Sequence, residues 1–471
     1  MKSSASIVAL GLIIACSLLC TPACRKKVPE PPPADFPAEA GEGPSERAPS
    51  VPPGPEPAGE EGEISKAEGP GESGKEGDKA LRRSLKGKTG WRTAVEPKAL
   101  SPNVLRGLDW LSEHQNPDGG WGQGEESRHM GRQGGNHAAL SNVADTCAAA
   151  LALIRSGSTP AKGAHAALVR GAVAYVCGKV ERSDAKSLWI TDVRGTRLQQ
   201  KLGTFIDTFM AAYLLAEVKG TMHDAPAEAR VAAALEKVIG KMEKHQTADG
   251  SWKSKGWAPV LAGSWGKRGL NRAAQKGVAV REEVLDRAEK GAQDDYESSK
   301  GLSSGFAGSA GVKLYGAAAT ANAMNESNLT NARDRDRLEK ALIAAQGEEA
   351  KRAIRTELQR IRKNEETLKS INTQLVNKLR DQRFLKGFGS NGGEEFLSYM
   401  QIGENLVLEG GAVWKEWDEA ITRNLCRVQN KDGSWSGHHC ITGRTFCTAA
   451  AVLVLTVDRA KFPLSGKLRR K

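Results

Sequence analysis

The chain has 471 residues, 26% charged, 39% hydrophobic and only 5% aromatic, a balance that fits one large or two ordinary globular domains. It excludes a polytopic membrane protein and a small disulfide scaffold. The net charge of +12 is scattered among many acids, without the basic and aromatic interleaving of a nucleic-acid binder, so no nucleic-acid partner is expected.

Lys2, an apolar run from Ile7 to Cys20 and the small residues Thr21-Pro22-Ala23 predict an export leader over residues 1–24. Cys16 and Cys24 each follow a small residue, as at the processing site of a bacterial lipoprotein; ordinary cleavage after Ala23 is the alternative. Residues 25–97 are rich in Pro, Glu, Gly and Ser and bury too little apolar surface to offset their ordering entropy, which predicts a disordered tether. No second apolar run is long enough to span a bilayer. The expected location is the bacterial cell envelope, as a periplasmic protein or one anchored to the membrane only through its N-terminal lipid.

A repeated grammar begins at residue 98. Predicted helices end in Gln115-Asn116-Pro117-Asp118-Gly119-Gly120-Trp121, Gln246-Thr247-Ala248-Asp249-Gly250-Ser251-Trp252 and Gln429-Asn430-Lys431-Asp432-Gly433-Ser434-Trp435. Asp-Gly supplies a turn in which glycine takes positive φ, Trp folds back over the helix end, and Gln reaches backbone groups left unpaired there. Between these turns lie Ala-rich helices, 145–154, 207–215, 314–319 and 445–453, which are apolar all round and belong inside. More amphipathic partners near 103–114, 163–178, 226–245 and 412–428 form the expected outer ring. Alternating inner and outer helices predict an all-α, α/α toroid of helical hairpins over residues 98–462. From Asn331 to Arg383, apolar residues at 338, 342, 354, 358, 361, 368, 371, 375 and 379 form one helical stripe, broken at Gly347. It reads as an inserted coiled-coil-like hairpin, suited to docking a protein partner or to dimerisation, or else a solvated insertion without one. Residues 463–471 form a basic tail.

The Gln-x-x-Asp-Gly-(Gly/Ser)-Trp segments resemble the QW-type repeats of squalene-hopene cyclases and the equivalent repeats of protein prenyltransferase β subunits. That resemblance implies a central cavity binding an apolar isoprenoid or lipid, or a peptide, walled here by Phe205, Phe209, Tyr213, Tyr315, Phe446 and Cys447. The cyclase acid motif Asp-x-Asp-Asp is absent; Asp294-Asp295, Asp334 and Asp336 read as solvated charge. The prenyltransferase branch implies Zn²⁺ held by Asp-x-Cys and a His. Asp145-Thr146-Cys147 has the first pattern, whereas Asp207 stands where the His would be, and helix capping is the competing role for both Asp residues. Gly443-Arg444-Thr445-Phe446-Cys447 is similar to a stretch lining the prenyltransferase site. The candidate catalytic residues are therefore Asp145, Cys147, Asp207 and Arg444. A metal set would draw on Asp145, Cys147, His438 and His439, with Cys440 nearby, and His137 is a further rim candidate. Of eight cysteines, five lie beyond the leader, and a bridge from Cys440 to Cys426 or Cys447 is expected in an oxidising compartment. The expected function is a non-catalytic binding or scaffold protein of the envelope, with a metal-dependent transferase or terpenoid cyclase as the alternative.

Overall fold

The computed structural model describes residues 95–126, 135–256, 258–298, 310–380, 392–438 and 440–460. The chain divides into units 1–70 and 71–471, and all described residues belong to the second. The leader, nearly all of the tether, the basic tail and His439 lie outside them.

Thirteen α-helices occur among the described residues: α1 (Pro102–Glu113), α2 (Val143–Arg155), α3 (Ala166–Arg182), α4 (Arg197–Lys201), α5 (Ile206–Val218), α6 (Ala225–His245), α7 (Pro259–Gln275), α8 (Glu282–Ser298), α9 (Ala310–Ala344), α10 (Glu348–Arg380), α11 (Gly393–Glu409), α12 (Gly411–Arg427) and α13 (Arg444–Leu455). The sequence places their starts by ordinary capping. Ser101 and Asn142 accept from the backbone N–H of Val104 and Asp145, Asp224 accepts from Ala227, and Pro stands in the first turn of α1, α6 and α7. Among the described residues there is no strand, only an isolated bridge between Trp121 and Asn142.

Packing closes the ring. Helix α2 contacts α5, α5 contacts α7, α7 contacts α9, α9 contacts α11, α11 contacts α13, and α13 returns to α2. Six inner helices thus form an annulus, and α1, α3, α6, α8, α10 and α12 pack around it, giving the α/α toroid. The four Ala-rich segments all lie on the inner ring. Helices α7 and α11 complete it, although both carry many polar side chains.

The repeated turns staple successive outer helices. In each, the Trp indole donates to a carbonyl of its own preceding helix: Trp121 to Leu111 at 2.9 Å, Trp252 to Met242 at 2.9 Å and Trp435 to Leu425 at 2.8 Å. The Gln reaches the first turn of the next outer helix instead of the end of its own: Gln115 to Leu168 O at 2.9 Å, Gln246 to Val284 O at 3.2 Å and Gln429 to Asn103 O at 2.9 Å. The third of these links α12 to α1 and joins the two ends of the toroid.

The described part of the expected hairpin, residues 331–380, is tied into the ring. The first part of α9 is an inner helix, and Leu368, Ile371 and Leu375 of α10 cover Leu314, Ala317, Ala321 and Met324 beneath them. Much of the stripe expected to offer a docking face is therefore buried against the chain's own α9. The break falls where the sequence puts it, at Gly347 with φ +92. Asp334, read from sequence as solvated, is buried and pairs with Arg337 at 3.2 Å.

Candidate functional site

The N-terminal ends of α2, α5 and α13 bring together residues that the sequence singles out. Asn142, not Asp145, is the cap of α2: its side-chain oxygen accepts from Asp145 N at 3.0 Å while its amide donates to Asp145 Oδ2 at 2.8 Å. Asp207, at the start of α5, reaches across to accept from Ala144 N at 3.0 Å, so it caps the neighbouring helix, and its second oxygen accepts from Gln199 Nε2 at 2.7 Å. The threonines that follow Asp145, Asp207 and Cys447 have structural partners: Thr146 and Thr448 accept from the backbone N–H of Trp121 and Trp435, and Thr208 donates to Leu188 O.

Burial governs the titration of these groups. The Asp145 carboxyl is pushed up to about 8, chiefly by burial, with Asn142 opposing and Asp207 and Glu126 adding to the rise. Asp207 is also raised by burial, against its hydrogen bonds to Gln199 and Ala144. Burial drives the thiols of Cys147 and Cys447 well above the ordinary range, so neither is a ready thiolate.

Of the expected zinc set, the described members Asp145, Cys147 and His438 do not come together as a metal-holding group, and His439 lies outside the described residues. Both Asp207 oxygens are committed to protein donors, the Cys447 thiol faces Ile441 O at 3.5 Å, and His438 is exposed. Among the described residues no three His, Cys, Asp or Glu side chains gather as a group able to hold a metal. Arg444 points to the rim, where it pairs with Asp432 at 2.5 Å and Glu125 at 3.5 Å. His137 is half-buried in a short 3₁₀ turn, Gly135–Ala138. The five described cysteines are all free, so the expected bridge from Cys440 to Cys426 or Cys447 is not formed.

The aromatic wall residues have structural surroundings as well. Phe209 packs under Trp252 with centroids 4.9 Å apart, and half-buried Phe205 meets Trp189 edge-on at 5.1 Å. Tyr315 is buried and bonded to Glu395, its phenol raised by burial and by the carboxylates of Glu395 and Glu394. Phe446 is buried beside Cys447 in the main core.

Tyr213 belongs to the largest feature absent from the sequence expectation, a buried ionic network in the middle of the ring. Its hydroxyl accepts from Arg268 Nη2 and Arg272 Nη2, both at 3.1 Å. Arg268 donates to Glu404 at 2.9 Å, Arg272 to Glu326 at 2.6 Å and to Glu217 at 2.7 Å, and Arg155 also pairs with Glu404. Arg268 lies over the rings of Tyr213 and Trp265 at 4.7 and 4.8 Å. Burial alone would raise Glu404, but Arg268 and Arg155 outweigh it and hold the carboxyl below its ordinary value. A cavity of about 20 Å³ beside Arg155, Tyr213, Glu217, Arg272 and Glu404 has room for roughly one water. The ring interior around Tyr213 is thus ionic, where the resemblance implies an apolar wall. Its sequence trace is Arg268 and Arg272 four residues apart on α7, with Asn271 and Gln275 on the same face. Such spacing ordinarily marks a solvated helix face.

Residues 89–190, which include α1, its Gln-Trp turn, α2 and α3, match the family model of the squalene-hopene cyclase C-terminal domain. This finding is consistent with a squalene cyclase/prenyltransferase-like superfamily and agrees with the closed toroid. No curated protein and no solved structure matches the chain.

Proposed function

We propose that this squalene cyclase-like chain is an exported, non-catalytic scaffold or binding protein of the cell envelope, whose toroid serves as a rigid body and binds its ligands from outside the ring. The observation that carries this reading is the ionic centre. A drug-sized ligand needs a pocket of roughly 300–1,000 Å³. The cavity beside the network offers about 20 Å³, and an isoprenoid tail placed there would have to separate Arg268 and Arg272 from Glu404 and Glu326. Breaking buried ion pairs of that kind costs about 3–5 kcal/mol for each lost partner. The leader and tether read from the sequence support the envelope location.

Cell fractionation of the full chain, with elemental analysis and lipid mass spectrometry of the purified protein, tests the reading. The protein is expected in the envelope fraction with neither stoichiometric zinc nor a stoichiometric isoprenoid. One equivalent of zinc lost in Cys147→Ala, or one equivalent of polyprenyl lipid lost in Tyr213→Ala, would establish the transferase or cyclase reading in its place. Retention in the cytoplasm would overturn the location.

A further inference from the structure

Outside the ring, a groove of about 370 Å³ lies between the last turn of α3 and the segment 184–194 that leads to α4. Its cationic side is made by Lys179, Arg182 and Arg194, and its body by Trp189 and Ile190. Of the acids beside it, Asp184 is engaged within its own turn, while the charges of Asp207 and Asp192 act on Arg194. Asp184 accepts from Lys186 N and Ser187 N at 2.6 Å and from Ser187 Oγ at 2.7 Å, and exposed Asp192 pairs with Lys179 at 3.9 Å. Among the described residues no carboxylate is within ion-pair distance of Arg182 or Arg194.

The Arg194 guanidinium is held in place, and that of Arg182 is exposed beside it. That of Arg194 stacks on the Trp189 ring 3.5 Å from its centroid, and its Nη1 donates to the carbonyls of Thr191 and Val193, which leaves Nη2 and Nε for another acceptor. That of Arg182 lies over Gly178, one turn back on α3. A Cβ there would come within 3.2 Å of Arg182 Nη1 and 3.6 Å of Nη2. Glycine inside a helix costs roughly 0.5–1 kcal/mol relative to alanine, and here its missing side chain makes the place in which the guanidinium rests. A planar fork already ordered by stacking loses little entropy on binding and matches the paired oxygens of a carboxylate or phosphate.

We propose that this groove is a binding site for a small ligand bearing a carboxylate or phosphate group, with Arg182 and Arg194 gripping the oxyanion and Trp189 and Ile190 supporting the rest. The site uses no residue of the ring centre and stands independently of the scaffold reading.

Isothermal titration of the full chain with sodium pyrophosphate and, separately, with citrate, at constant ionic strength, tests the proposal. Saturable one-to-one binding of at least one probe is expected, and the probe that binds identifies the oxyanion. Arg182→Gln and Arg194→Gln should each weaken it by about tenfold or more, the loss of a charge-assisted hydrogen bond. Lys431→Gln, on the exposed third turn, should bind as the parent does. Failure of both probes to saturate, unchanged affinity in the two arginine variants, or an equal loss in Lys431→Gln would each overturn the site, the last by showing diffuse attraction to a cationic protein.

Discussion

Asp145 shows how burial turns an apparent ligand into a proton store. Its carboxyl titrates at about 8 inside the fold against 3.8 outside it, so between those values the folded chain holds a proton that the unfolded chain has released. Stability therefore falls as pH rises through this window, and the penalty is complete above about 8. The charge of Asp207 adds to the rise, and its own carboxyl is raised by burial. Asp145→Asn keeps the size of the side chain and removes the ionisation. It should raise stability more at pH 9 than at pH 5, with a difference between the two on the order of a few kcal/mol. Urea unfolding of parent and variant at both pH values measures this; equal pH dependence in the two proteins would rule it out. The Asp-x-Cys spacing made Asp145 and Cys147 visible in the sequence, and the resemblance to the His-bearing segment pointed to Asp207. Their roles were not visible, because whether Asp207 faces a metal or the N–H of Ala144 depends on how α5 sits beside α2.

At the scale of helices and turns, legibility followed chemistry that is local. The three Asp-Gly turns are readable because each needs its own cap and positive φ: Gly119, Gly250 and Gly433 have φ of +85, +76 and +89. The close approach of each turn to the following outer helix is not local, and it predicts unequal tolerance. A Cβ at Gly250 would stand 2.0 Å from Arg287 O and one at Gly433 2.6 Å from Arg106 O, whereas Gly157, with φ +113, has nothing within 4 Å. Gly157→Ala should lose about 1–2 kcal/mol from left-handed strain alone. Gly250→Ala and Gly433→Ala should lose more, because a backbone carbonyl must also be displaced, and Gly433→Ala loosens the join between α12 and α1. Denaturant midpoints of the three variants provide the comparison, and a Gly157 loss equal to the other two would contradict the packing described for these turns. The inner helices divide in the same way. Ala-rich α2, α5 and α13 declare themselves by composition, but α7 and α11 do not, since their polar faces find partners only across the assembled ring, on α2, α5, α8 and α9 as well as on each other.

For the whole molecule, ring closure was legible from the count and spacing of repeats, whereas the contents of the ring were not. Repeats specify which helices neighbour one another; only assembly brings Arg268 of α7 to Glu404 of α11, 136 positions away. If this network is the keystone of the closed ring, its single and double variants should behave differently. Glu404→Gln leaves Arg155 and Arg268 without their shared counter-charge and should destabilise the protein by about 3–5 kcal/mol. Adding Arg268→Met removes one stranded charge and should restore part of the loss, a coupling that a double-mutant cycle reads directly. Acid should act through the same carboxylate. Because Glu404 is held below its ordinary value, its contribution is present above the unfolded-state range and is lost as pH falls through the folded-state value. The acid limb of the stability profile should therefore be shallower in Glu404→Gln than in the parent. A single variant within about 0.5 kcal/mol of the parent, the spread expected of inconsequential surface changes, would mean that the ring closes without its ionic centre. The space held by those side chains would then be free to evolve toward a ligand, and the argument for a rigid scaffold would lose its support.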